Sequence, residues 1–177
     1  MKNFFLGAIV GIVTFVSLVV AYFFLGIAPV STAAGPMPFE HYLAKSALNA
    51  RVHKEMPKTV PITGNESNYL AGAKIYRENC AVCHGLPGQS RPSIGVGLYP
   101  KAPALFIGKG VTDDSPGETY WKVVNGIRLT GMPRFQLLSE TQAWQVSILL
   151  ANADRLPISV LTDLSSPNPQ SSLKKDF

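Results

Sequence analysis

From Phe4 to Ala28 the chain reads FFLGAIVGIVTFVSLVVAYFFLGIA, and no charged residue lies between Lys2 and Glu40. Few folds are open to such a segment. Every backbone polar group placed in lipid must find its partner inside the segment, and a helix achieves that. As a helix these 25 residues rise roughly 37 Å, enough to cross a hydrocarbon core of about 30 Å with tilt. A cleavable leader is the competing reading, since Thr32-Ala33-Ala34 has the small residues of a processing site. Leaders carry an apolar region of only about 7–15 residues, so length favours an uncleaved anchor. Lys2 is the one charge on the short flank, which keeps the N-terminus cytoplasmic and sends the rest of the chain across. In a Gram-negative bacterium that means an inner-membrane protein facing the periplasm.

The 177 residues suit one compact domain plus an appendage and exclude a large multidomain enzyme. Residues 1–35 are read as the transmembrane anchor. Residues 36–65 are read as a juxtamembrane amphipathic helix, with the stripe Phe39, Leu43, Ala47, Leu48 and Val52, followed by a Pro-rich linker. Residues 66–157 form the expected compact domain, and 158–177, rich in Ser, Pro and Asn, a disordered tail. The domain is expected to be all-α. Its first helix starts near Ser67 and aligns Tyr69, Ala73, Tyr76 and Cys80. Its second is capped by Ser115 with Pro116 and Glu118, and its third by Ser139 with Gln142, running to about Asn152. The Gly/Pro-rich connection from Gly85 to Gly117 is too long for so small a domain unless it wraps something.

Cys80-Ala-Val-Cys83-His84 supplies that something. Two cysteines in the whole chain exclude a multi-disulfide framework and a mainly cysteine zinc site. C-x-x-C-H is the attachment signature of c-type haem. Thiols three apart at a helix end share one side and reach both vinyl groups of a porphyrin, while the next residue offers its imidazole to the iron. A Cys80–Cys83 disulfide gives His84 no role, and a thioredoxin-like pair needs a βαβ context. The opposite axial ligand is assigned to Met132. It sits between the second and third helices in Ile127-Arg-Leu-Thr-Gly-Met-Pro-Arg-Phe135, where Gly131 and Pro133 favour extended chain close to the ring. Met1, Met37 and Met56 are poorly placed. His41 and His53, on the juxtamembrane helix, are the less favoured substitutes.

Cys-Ala-Val-Cys-His-Gly followed by Thr-Gly-Met-Pro resembles the membrane-anchored bacterial class I cytochromes c, a resemblance spanning Asn68 to Leu156. It implies a cytochrome c-like fold carrying one covalent haem c through Cys80 and Cys83, with His84 and Met132 as axial ligands. It implies that two helices cross near Gly72, Tyr76 and Trp144. It also implies that a Pro carbonyl bonds the free nitrogen of His84, with Pro92, Pro100 and Pro103 as equal candidates. Tyr120, Ile127, Pro103 and Phe135 join Gly72, Tyr76 and Trp144 as residues expected to pack around the cofactor.

The implied function is one-electron transfer between respiratory or periplasmic partners, with no small-molecule substrate. Net charge is +5, and outside the anchor 15 Lys and Arg face 11 Asp and Glu. That surplus is too mild, and too free of interleaved aromatics, for nucleic acid binding. It suits steering toward an acidic docking face, with Lys74, Arg77, Arg91, Lys101 and Arg134 as the expected patch. The alternatives are an electron-transfer subunit of a membrane dehydrogenase or terminal oxidase and, if Met132 leaves the iron open, a five-coordinate peroxidase or gas sensor.

Overall fold

The structure is a computed structural model that describes residues 1–107 and 113–166. No strand occurs among the described residues. The helices are α1 (Lys2–Phe24), α2 (Glu40–Glu55), α3 (Glu66–Asn79), α4 (Ala81–His84), α5 (Ser93–Gly97), α6 (Pro116–Asn125), α7 (Glu140–Ala151) and α8 (Ile158–Ser165).

The chain divides into two compact units, Met1–Ala44 and Lys45–Phe177. In the first, α1 buries none of its residues and is long and apolar enough to cross a membrane. The turn after it closes on the Met37 amide, which donates to Glu40 Oε2 at 2.7 Å. Compaction of the second unit begins at Lys45, inside α2, and not near residue 65 where the linker composition put it. The reason is Val52, which α2 buries to 1% exposure while Phe39 and Leu43 of the expected stripe stay exposed.

The second unit is built on α3 against α7, with α6 on α7 and α8 on α3. Gly72 permits the first of these crossings. A Cβ at that position would stand 2.4 Å from the Gln145 carbonyl oxygen and 3.2 Å from Leu149 Cβ. Around it Ala73, Tyr76, Val146 and Leu149 are sealed from solvent. Local chemistry sets the helix starts. Asn65 accepts from the Asn68 amide at 2.9 Å, and Ser139 and Gln142 form a complete capping box. At α6 only half of the expected box forms. Ser115 accepts from the Glu118 amide at 3.3 Å, but the Glu118 carboxylate turns to Lys122 at 2.9 Å.

The segment from 158 onward corrects the expectation of a disordered tail. Ile158–Ser165 is helical, and Val160 and Leu164, one turn apart, are fully buried. Arg77 fastens it: its guanidinium donates to the Asp163 carbonyl at 2.9 Å and to Ser166 Oγ at 3.1 Å, and pairs with the Asp163 carboxylate at 3.3 Å. Ser and Pro content disguised an apolar stripe that has a partner to cover. The rest of that expectation, 167–177, lies outside the described residues.

Candidate functional site

α3 ends at Cys80, which begins the single turn α4, so both thiols and the imidazole are fixed by one turn of backbone. The His84 amide donates to the Cys80 carbonyl at 2.9 Å and Gly85 closes the turn at φ 79°, a left-handed value that suits glycine. α5 backs the turn. A Cβ on Gly95 would lie 2.0 Å from the Cys83 carbonyl oxygen, so only glycine lets these two backbones touch. The hydroxyl of buried Tyr76 donates to the Gly85 carbonyl at 2.7 Å, and its ring meets Phe106 edge-on at 5.0 Å. Burial, with the Cys80 thiol nearby, pushes the Tyr76 ionisation far up, so the hydroxyl stays a donor.

The loop after α5 supplies the proximal carbonyl. His84 Nδ1 lies 2.8 Å from the Pro103 oxygen, and a carbonyl only accepts, so Nδ1 carries the proton and Nε2 is left as the metal-binding nitrogen. Pro103 takes the role that sequence left open between it, Pro92 and Pro100. Burial lowers the His84 pKa against the opposing pull of that hydrogen bond, which favours the neutral imidazole that ligation needs. Burial, then the neighbouring Cys83 sulfur, pushes the Cys80 thiol up to about 12. Cys80 is therefore no low-pKa redox thiol.

These groups line a cavity of about 500 Å³. Cys80, Cys83, His84 and Met132 all reach it, with Leu98, Ile127 and Phe135 among its apolar walls. Met132 is held by its own loop. Thr130 Oγ1 accepts from the Met132 amide at 3.1 Å and donates to the Ile127 carbonyl at 2.7 Å, while the Ile127 amide donates to the Met132 carbonyl at 3.2 Å. Gly126, at φ 67°, starts this return, and a Cβ there would lie 2.8 Å from the Arg134 amide nitrogen.

Four of the residues expected around the cofactor do not line the cavity. Gly72 makes the α3–α7 crossing, and Tyr76 braces the α4 turn from behind. Trp144 is buried and stacks on Tyr120 at 4.2 Å, joining α6 to α7. His53 is exposed and off the cavity, and His41 is exposed. Of the expected basic patch, Lys74, Arg91, Lys101 and Arg134 are exposed, whereas Arg77 is committed to Asp163.

Sequence reasoning missed two groups. Asp114 and Lys122 line the cavity as an ion pair at 2.7 Å, with Glu118 joining Lys122. Burial raises the Asp114 pKa against the pull of Lys122. For Lys122 burial acts downward, but the two carboxylates outweigh it and the net shift is upward. The i, i+4 spacing of Glu118 and Lys122 was the available signal. Leu48 of α2 also lines the cavity, and its place on the apolar stripe was the only hint.

Two free thiols a turn apart, a neutral imidazole with one nitrogen spoken for, a thioether on the same cavity and a largely apolar cleft of this volume fit haem c. Fold and pocket together define a c-type cytochrome domain. Residues 67–148 match the family model described as cytochrome c oxidase, cbb3-type, subunit III, a c-type cytochrome domain of the kind that carries covalent haem c. No curated protein matches the chain.

Proposed function

We propose that the chain is a single-pass, membrane-tethered mono-haem electron carrier, its N-terminus cytoplasmic and its haem domain on the far side of the membrane. The observation that carries this reading is the convergence of Cys80, Cys83, His84 and Met132 on one cavity. Bound haem c supplies a one-electron couple at iron. The chain's residues do the rest. Cys80 and Cys83 anchor the group by thioether bonds. His84 is held in a single tautomer by Pro103, which fixes its orientation and raises its basicity as a ligand. Met132 would offer the iron a soft sulfur from a loop braced by Thr130. Leu98, Ile127 and Phe135 would cover the group with apolar surface. Exposed Lys74, Arg91, Lys101 and Arg134 would meet an acidic partner face.

A redox titration of the purified chain tests this. The expected result is one reversible wave that changes tenfold in oxidation ratio per about 59 mV, the one-electron value. An irreversible response, or turnover of peroxide, would speak for the open-iron alternatives.

The family description favours a second reading, in which the chain is a subunit of a cbb3-type oxidase. Isolation from membranes in mild detergent separates the two. A tethered carrier comes away alone, and a subunit brings oxidase haem with it.

A further inference from the structure

One wall of the cavity comes from outside the family-matched residues. Leu48, on the part of α2 that belongs to the second unit, lines it together with Val123 and Lys122 of α6. One turn on, Val52 is buried. The stretch from Glu55 to Pro57 is clamped to α6 and its cap at three successive points. Trp121 Nε1 donates to Glu55 Oε2 at 3.1 Å, and Glu55 is itself held by Arg51 at 2.6 Å. Ser115 Oγ sits 3.8 Å from Met56 Sδ. The Pro57 carbonyl backs onto Gly117 so closely that a Cβ there would lie 2.1 Å from its oxygen.

We propose that Leu48–Pro57 is a haem strap: Leu48 closes one side of the pocket against water, and the clamp on α6 holds it there, which raises the reduction potential. The inference rests on the haem reading above. Its physical basis is the charge difference between oxidation states. Oxidised haem carries one more positive charge than reduced haem, so an apolar side chain in place of water at this wall, beside the fixed Asp114–Lys122 pair, penalises the oxidised form more. None of the residues in the strap or clamp is needed to attach the cofactor, so potential and attachment separate experimentally.

The test uses the full chain in detergent. Leu48→Asp puts water and a carboxylate at the wall. Gly117→Val drives the Pro57 carbonyl away without altering any residue that lines the cavity. Val160→Ala, in α8 and off the cavity, reports the effect of general loosening. Both strap variants are expected to keep covalent haem and to shift the midpoint potential downward. Leu48→Asp should shift further, since its carboxylate also stabilises the oxidised form. Val160→Ala should stay at the wild-type midpoint. Haem-loaded strap variants with wild-type midpoints overturn the strap while leaving the haem reading intact, and so does an equal fall in Val160→Ala. If Leu48→Asp yields no holoprotein, Leu48→Ala replaces it under the same criteria. A wild-type chain without covalent haem would instead sink the reading beneath.

Discussion

Met132→Ala is expected to lower the midpoint potential by on the order of 0.2 V and to let the ferrous protein bind carbon monoxide. Axial ligand identity moves haem potentials over about 0.8 V, and a thioether sits at the high end because it stabilises the reduced iron. The substitution removes the sulfur and little else. Ile127, Thr130 and the Met132 backbone still close the loop through bonds that do not involve the side chain. The gap left beside the iron is open to a small neutral ligand. Optical titration with carbon monoxide and a spectroelectrochemical midpoint read the two effects separately. A ferrous variant that ignores carbon monoxide would mean that another residue holds the sixth position. Lys101 and Lys122, the other nitrogen bases lining the cavity, would then be the first to replace.

Gly72→Val should destabilise the holoprotein by about 3 kcal/mol or more, above the usual range for overpacking. Its Cβ would fall 2.4 Å from the Gln145 carbonyl oxygen, and that atom is backbone, with no rotamer to yield. α3 and α7 would have to separate, exposing Val146 and Leu149, which are fully buried. Cys80 caps α3, so the strain runs directly into the attachment turn. Guanidinium denaturation followed by Soret absorbance measures the loss. An unchanged midpoint of unfolding would show that the crossing has slack that the geometry denies.

What the sequence made legible was whatever is encoded within a few residues. The attachment turn is local, since Cys80, Cys83 and His84 share one turn of helix. So are the caps at Ser115 and Ser139, and the Gly-Met-Pro context of Met132. What remained hidden depends on partners distant in the chain. Three prolines offered a carbonyl, and only the path of the loop after α5 selects Pro103. Of the three residues expected at one helix crossing, Gly72 lies between α3 and α7, whereas Tyr76 bonds the Gly85 carbonyl and Trp144 stacks on Tyr120 of α6, because a stripe says which side is buried and not against what. The same limit hid α8, whose two buried residues are interspersed with Ser, Thr and Asp. It also placed the start of the second unit some twenty residues late, since α2 shows its partner only once α6 lies beside it.

The central claim is that Cys80 and Cys83 hold one porphyrin by covalent bonds. Intact mass spectrometry of the chain from a host competent in c-type maturation, after acid–organic extraction, tests it most directly. The account predicts red protein whose mass exceeds that of the polypeptide by one haem, with no pigment in the organic phase. Colourless protein at the polypeptide mass, with Cys80 and Cys83 joined as a disulfide, would contradict it.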